Sequence, residues 1–218
     1  MLVDTPPDLR TQCLAHGVAH VDAVLYTHEH ADHVNGIDDM RRFSALQDGY
    51  ITCYANSRTA GELHVRFPYC FPDAEARAGE WVRWSLPTLR TETLSGPFNL
   101  FGLRVTPMSV LHNELEVTAY RFDDADGHSV VYATDCNYIP DETREKILGT
   151  NVLILDLLRE RPHVSHFGLS EAVEVAREIQ AGQTYFVHMS HMLEHHETNA
   201  QLPDSMELAY DGLVVDFN

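Results

Sequence analysis

The sequence is poor in basic residues. Its 218 residues include 15 Lys and Arg against 33 Asp and Glu, which gives a formal net charge of −18. Contacts to nucleic-acid phosphates need a basic face, so a nucleic-acid duplex is not expected as a partner. A small anionic substrate remains compatible with this charge, because bound cations would reverse the local field.

Paired cysteines and long apolar runs are also missing. The four cysteines are widely spaced without a Cys-x-x-Cys pair, so we expect reduced thiols. No apolar run approaches membrane-spanning length, and the residues after Met1 form neither a basic nor an apolar leader. These absences predict a soluble cytoplasmic protein with no membrane partner, and they leave a homodimer open.

Internal repeats, low-complexity blocks and linkers are absent as well, which favours one domain over residues 1–218. Short apolar, β-prone runs predict individual strands. These predicted strands are 22–27, 50–55, 129–134, 151–156 and 185–187. Alternating residues over 98–122 are typical of a β-meander.

Helices are predicted in two places. One begins over about residues 34–43, and the other covers 170–180, with Ser170 as N-cap and Gly182 as its stop. Residues 69–91 combine prolines, glycine and tryptophans with mixed charge, and we interpret them as loops with short strands that could form a lid.

Several predicted strands end at a histidine or an acid. His28, Asp135 and His188 come at or just after the ends of such runs, and His112 follows an apolar pair. The end of a strand holds a side chain in a well-defined position, and the loops that follow several strands can converge on one edge of a sheet. We therefore expect these side chains to meet.

The densest group of metal-ligand residue types lies within six positions. His28 and His30 can point the same way, as residues i and i+2 do in extended chain, while Asp32 and His33 begin the following turn. Imidazole and carboxylate ligands suit Zn²⁺, Mn²⁺ or Fe²⁺. Two adjacent half-sites predict two divalent metal ions about 3.5–4 Å apart around a bridging water.

Each half-site needs further ligands from elsewhere in the chain. His112 can complete the half-site of the first two histidines, His188 can complete the other, and Asp135 can bridge both. Histidine clusters also occur on exposed loops that bind nothing. The dense spacing directly after a β-prone run, followed by Gly36, favours the metal site.

The run His-Glu-His-Ala-Asp-His over residues 28–33 resembles the signature of the metallo-β-lactamase superfamily. The resemblance implies an α/β fold, a four-layer αββα sandwich with a dinuclear site at one edge of its two sheets. It also implies His112, Asp135 and His188 as the remaining ligands, by their order and strand context. Zn²⁺ or Mn²⁺ is the expected metal, with Fe²⁺ as an alternative.

Further segments resemble one branch of that superfamily, the bacterial phosphoribosyl 1,2-cyclic phosphate phosphodiesterases. The matching segments are residues 4–8, 27–33, 36–41, 66–71, 134–135, 166–172 and 188–191. The branch normally begins with extra strands and a cysteine cluster that binds a structural zinc. This chain starts just before the strand that carries Asp4, so we expect either a sheet that lacks its first strands or a misassigned start site, and the structural zinc is not carried over.

The branch implies hydrolysis of small, cyclic phosphodiesters such as ribose cyclic phosphates by a metal-bridging hydroxide. Asp32 then counts as a catalytic residue as well as a ligand, and His166 is implied to contact the phosphate and act as a general acid. His166 precedes a predicted helix N-terminus, where an anion is favoured, and imidazole can donate a proton near neutrality. The alternative is that His166 only packs or caps.

Other residues that could serve a site have a more ordinary interpretation. Arg41 and Arg42 could hold a phosphate, but pairing with Asp38 or Asp39 on a helix face is favoured. For the other candidates, a role outside the site is also favoured. His191, His195 and His196 are expected at the surface, Tyr69 and Phe71 in the core, and Cys136 as a buried thiol.

Three rival functions keep the same motif. Thioester or lactam hydrolysis uses the same nucleophile on a carbonyl carbon. A tRNA-processing nuclease is weakened by the charge of −18. An inactive paralogue or metal sensor would bind metal without hydrolysis.

Overall fold

The computed structural model describes residues 1–73 and 86–217. Contacts between Cα atoms divide the chain into two units, Met1–Ser95 and Gly96–Asn218. The prediction of a single domain over the whole chain stays a prediction. In the part of the chain that the structure describes, no helix combines the length and apolar character needed to cross a membrane.

The unit Met1–Ser95 contains a four-stranded parallel sheet in the order β1-β2-β3-β4. Its strands are β1 Leu2–Val3, β2 Ala23–Leu25, β3 Ile51–Ala55 and β4 Leu89–Thr93. All three residues of β2 are buried, as expected for a parallel strand covered on both faces. The predicted strands over 22–27 and 50–55 are confirmed. Residues 74–85 of the predicted lid lie outside the described residues.

The helices of this unit are α1 Leu9–Ala15, α2 Ala31–Val34, α3 Met40–Gln47 and α4 Ser57–Arg66. Single 3-10 turns cover Ile37–Asp39 and Pro68–Cys70. The prediction that one helix begins over residues 34–43 is wrong about where the helices begin and end. The backbone N–H of Gly36 donates to the carbonyl of Thr5 instead of continuing a helix, so α2 ends before it and α3 begins after the 3-10 turn.

The unit Gly96–Asn218 contains a seven-stranded mixed sheet in the order β11-β10-β9-β8-β7-β6-β5. Its strands are β5 Phe98–Leu100, β6 Leu103–His112, β7 Leu115–Asp123, β8 Ser129–Ala133, β9 Val152–Asp156, β10 Gln183–Val187 and β11 Met206–Leu208. Strands β5 to β8 run antiparallel, and β8 to β11 run parallel. The predicted meander and the three strands after it are confirmed.

The helices of this unit are α5 Asp141–Ile147, α6 Leu169–Ile179 and α7 His195–Asn199. The predicted N-cap and stop of α6 are wrong. Gly168 is the N-cap, and its N–H donates to the carboxylate of Glu171 at 2.9 Å, so no serine side chain is needed. Gln180 ends the helix in the left-handed conformation, before Gly182 is reached.

Candidate metal centre

The predicted ligands of the 28–33 motif lie together at the turn between β2 and α2. The ring of His28 has its centroid 4.5 Å from that of His30 and 4.3 Å from that of His33. The Nε2 atom of His33 lies 3.5 Å from a carboxylate oxygen of Asp32. We call these four residues the first cluster. His28 and His33 are buried, whereas His30 and Asp32 are exposed to solvent.

A buried carboxylate orients the first cluster. Asp4 accepts hydrogen bonds from the N–H and hydroxyl of Thr27, both at 2.8 Å, and from Nδ1 of His33 at 2.7 Å. The Thr27 hydroxyl gives its proton to Asp4, so it accepts from Nδ1 of His28 at 3.0 Å. Both histidines therefore present Nε2 as the nitrogen with a lone pair, which is the form that a metal ion requires.

Burial is the main influence on the Asp4 carboxyl. Its side chain is almost fully enclosed, and this raises its pKa, while the hydrogen bonds from His33 and Thr27 act in the opposite direction. Apart from the position of Asp4 in a matching segment, no sequence pattern indicated this role. Its partner His33 lies 29 residues away.

Glu29, between the first two histidines, is a second residue that sequence reasoning missed. Its side chain is buried and accepts from Nε of Arg58 at 2.8 Å and from the hydroxyl of Thr59 at 3.3 Å. Arg66 also donates to the backbone carbonyl of Glu29. These contacts tie the backbone between His28 and His30 to helix α4.

The unit Gly96–Asn218 brings its own predicted ligands together. One ligand atom from each of His112, Asp135 and His166 lies within 4.8 Å of the others. Nε2 of His188 lies 3.4 Å from Oδ2 of Asp135, and its ring stacks on that of His166 with centroids 4.7 Å apart. These four residues form the second cluster, in which the three predicted ligands of this unit meet the predicted general acid.

Asp156, at the end of β9, organises the second cluster. It is fully buried and accepts from Nδ1 of His166 at 2.9 Å and from the backbone N–H groups of Asp135 and Phe167. Burial raises the pKa of the Asp156 carboxyl, and the hydrogen bond from His166 opposes that shift. A predicted strand ending in an acid was the available signal, but no role was assigned to it.

Hydrogen bonds also fix the other members of the second cluster. Nδ1 of His112 donates to the carbonyl of Ser165 at 2.7 Å, so its Nε2 is the ligand nitrogen. The hydroxyl of Thr134 donates to Asp135 at 2.7 Å. The ring centroids of His112 and His166 are 4.4 Å apart.

Left-handed backbone recurs at the ends of the strands that carry these groups. Asp4 after β1, Asp135 after β8 and His188 after β10 have φ values of 60°, 51° and 64°. Such residues cost on the order of 1–3 kcal/mol each and persist where the surrounding structure enforces them. Each of these residues follows its strand by one or two positions, where the chain leaves the sheet.

Both clusters fit divalent metal ions by the chemistry of their donors. Each cluster combines a carboxylate with histidines, and some of these histidines have Nε2 left without a proton because Nδ1 donates a hydrogen bond. Unprotonated imidazole and carboxylate are suitable ligands for Zn²⁺, Mn²⁺ or Fe²⁺. The prediction that the two clusters share one metal pair stays a prediction.

The residues set aside at the sequence level largely have the expected ordinary roles. Arg41 lies 3.6 Å from Asp38 on the helix face, Cys136 is fully buried, and His191 is exposed. Phe71 packs against the apolar core and stacks on His64. Tyr69, however, is 41% exposed, so its predicted core position is wrong.

Comparisons with known proteins agree over most of the chain. The family model described as "Beta-lactamase superfamily domain" matches residues 1–189. The crystal structure of a new diphosphatase from the PhnP family is 37% identical, with a TM-score of 0.86, over 100% of this chain and 80% of that chain. Zn²⁺-bound PqqB from Methylobacterium extorquens shares the fold, with a TM-score of 0.73 at 20% identity over 99% and 83%.

One curated relative is much longer than this chain. Octanoyltransferase from Porphyromonas gingivalis (strain ATCC BAA-308 / W83) is 29% identical over 215 residues. The match covers 98% of this chain and 41% of the relative, so the chain spans less than half of that protein.

Proposed function

The chain belongs to the metallo-β-lactamase superfamily, and we propose that it is a metal-dependent hydrolase of small phosphodiesters. Its α/β fold, with two sheets and helices, is the fold class expected from the 28–33 motif. Cyclic phosphates of ribose are the substrates that we propose. The resemblance to the cyclic phosphate phosphodiesterase branch supports this choice, and the similarity to a protein described as a PhnP-family diphosphatase supports a phosphate-containing substrate.

Seven residues are proposed to hold two divalent ions. They are His28, His30, Asp32, His33, His112, Asp135 and His188. When bound, the ions would acidify a water nucleophile and neutralise charge on the phosphoryl oxygens. The support comes from the donor chemistry within each unit, where carboxylates and carbonyls fix the histidine tautomers.

The His166–Asp156 pair is the observation that carries the phosphodiester assignment. With Nδ1 held by the buried carboxylate at 2.9 Å, Nε2 is the nitrogen of His166 that can give up a proton. As the oxygen of water bonds to phosphorus and the P–O bond to the alcohol breaks, the leaving oxygen takes this proton. Asp156 would stabilise the imidazolium before the transfer, as a carboxylate does for a catalytic histidine.

The need for a proton donor separates oxygen from sulfur leaving groups. An alkoxide is a strong base that leaves poorly without a proton, whereas a thiol with a pKa of about 8.5 leaves as a thiolate. A histidine anchored beside the ligands is therefore of greater use for a phosphodiester than for a thioester.

Acyl thioester hydrolysis is the second candidate. The relative named octanoyltransferase supports it, because almost all of this chain matches part of a protein named for octanoyl transfer. In that case the same clusters would serve hydrolysis of an octanoyl thioester.

An assay of both bond types on one metal-loaded preparation tests the proposal. Protein loaded with Mn²⁺ or Zn²⁺ would receive ribose 1,2- and 2′,3′-cyclic phosphates and, in parallel, an octanoyl thioester. We expect turnover of a phosphodiester that His166→Ala lowers by about 10²–10⁴-fold and that His196→Ala, at an exposed histidine, leaves unchanged. Turnover of the thioester alone would favour the second candidate, and no turnover by folded, metal-loaded protein would refute both.

A further inference from the structure

A concave site separate from the first cluster lies within the unit Met1–Ser95. It is a cavity of about 620 Å³ between α1, the loop after it and α3. Cavities of roughly 300–1,000 Å³ are typical of small-molecule sites. Of the described residues that line it, none belongs to the first cluster. We call it the arginine cavity.

Three arginines line this cavity in a protein of net charge −18. They are Arg10, Arg41 and Arg42, and one acid, Asp39, lies among them. Arg41 is paired with Asp38 at 3.6 Å, but both side chains are about half exposed, so this ion pair is weak. Among the residues that the structure describes, neither Arg10 nor Arg42 has an ion-pair partner. The lining therefore carries a surplus of positive charge.

The remainder of the lining is largely apolar. Leu14, Val18 and Leu46 are exposed at 75%, 37% and 57%, although exposed large aliphatic side chains so close together are unfavourable in water. Phe43 and Cys13, which also line the cavity, are buried. A ligand that covered the three exposed side chains would remove apolar surface from water.

From this combination we infer that the arginine cavity binds a small amphipathic anion, a medium-length alkyl chain that ends in a carboxylate or a phosphate. The arginine forks suit the oxygens of either head group, and the aliphatic side chains suit the tail. Inorganic phosphate alone would use only the arginines, and a neutral alkane would use only the aliphatic surface.

Calorimetric titration of the full chain with a chain-length series tests the inference. Butanoate, hexanoate, octanoate, octyl phosphate and inorganic phosphate are the probes. We expect affinity to rise up to about fourfold per methylene along the carboxylates, which corresponds to about 0.8 kcal/mol for each buried CH₂. Inorganic phosphate should bind more weakly than octyl phosphate. The affinities of octanoate and octyl phosphate show whether the cavity prefers a carboxylate or a phosphate head group.

Matched variants separate the two parts of the site. Arg42→Gln should weaken octanoate binding about tenfold, while Arg177→Gln, at an exposed arginine in the other unit, should not. Leu46→Asp should likewise weaken binding, whereas Val65→Asp, at an exposed residue outside the lining, should leave it unchanged.

Cys13 reports where the ligand lies. It is 7% exposed, while Cys53, Cys70 and Cys136 are fully buried, so alkylation followed by mass spectrometry should detect Cys13 first. Bound octanoate or octyl phosphate should slow alkylation of Cys13 in proportion to occupancy. Affinity that is indifferent to chain length or to Arg42→Gln, or binding that leaves Cys13 unprotected, would overturn the inference.

Discussion

Nδ1 of His166 lies 2.9 Å from Oδ1 of Asp156, whose other oxygen accepts the backbone N–H of Phe167. Asp156 also accepts the N–H of Asp135, a predicted metal ligand. One fully buried carboxylate thus fixes both the proposed proton donor and the backbone of a ligand. A change at Asp156 should therefore be visible in the proton-transfer step.

Replacement of Asp156 by Asn should affect alkyl esters more than aryl esters. The amide cannot stabilise an imidazolium, so we expect kcat on a ribose cyclic phosphate to fall about 10–100-fold. The loss on bis(p-nitrophenyl) phosphate should be smaller, because nitrophenolate leaves without a proton. Steady-state kinetics on both substrates measure the difference, with Asp126→Asn at an exposed turn as control. Equal losses on both substrates would contradict a role in proton donation.

Replacement of Asp4 by Asn should weaken metal binding. The amide keeps the size of the side chain but removes the charge that holds Nδ1 of His33, so we expect metal affinity to fall about 10–100-fold. Competition with a chelating dye measures the affinity, and Asp8→Asn, at an exposed acid, is the matched control. Unchanged affinity in the Asp4 variant would show that the carboxylate does not orient the ligand.

Two glycines in the same unit should respond to alanine in opposite ways. A Cβ at Gly36 would lie 2.1 Å from the carbonyl oxygen of Pro6, so Gly36→Ala should lower the free energy of unfolding by about 1–3 kcal/mol or more. At Gly61, within α4, nothing lies within 4 Å, and Gly61→Ala should raise it by up to about 1 kcal/mol. Urea denaturation compares the two. An unchanged free energy of unfolding in Gly36→Ala would mean that the segments around Gly36 and Pro6 can move apart without loss of stability.

The buried thiols should destabilise the fold at alkaline pH. Burial raises the pKa of Cys70 from 9.0 to about 12. The unfolded chain loses the thiol proton from about pH 9.0, while the folded chain retains it, so stability falls as pH rises between these values. Urea titrations at several pH values should show a shallower fall in Cys70→Ala than in the parent, and parallel profiles would contradict the assignment.

The strands and the grouping of His28 to His33 could be predicted from the sequence because both depend on local patterns. The strands over 50–55 and 129–134 were visible as β-prone runs, and His28 to His33 are close together in the chain. The strand ends also located Asp135 and His188. No local pattern, however, shows which side chain will accept a hydrogen bond from a distant residue.

The orienting residues were missed for that reason. Asp4 meets a histidine 29 residues away, and Glu29 meets an arginine on α4 at the same separation. Helix boundaries were missed for two further reasons. The N–H of Gly36 donates to the distant carbonyl of Thr5, a tertiary contact that propensity and spacing do not encode. Gly168 caps α6 through a local bond from its N–H to the Glu171 carboxylate, so no serine, threonine or acid at the cap position marked the start of the helix.

Metal stoichiometry tests the central claim most directly. Elemental analysis of the parent protein after loading should give two divalent ions per chain, and His30→Ala and His188→Ala, one from each cluster, should each lower that number while His196→Ala does not. If the parent binds no metal, or if either cluster variant retains both ions at parental affinity, the account of a two-metal hydrolase is contradicted.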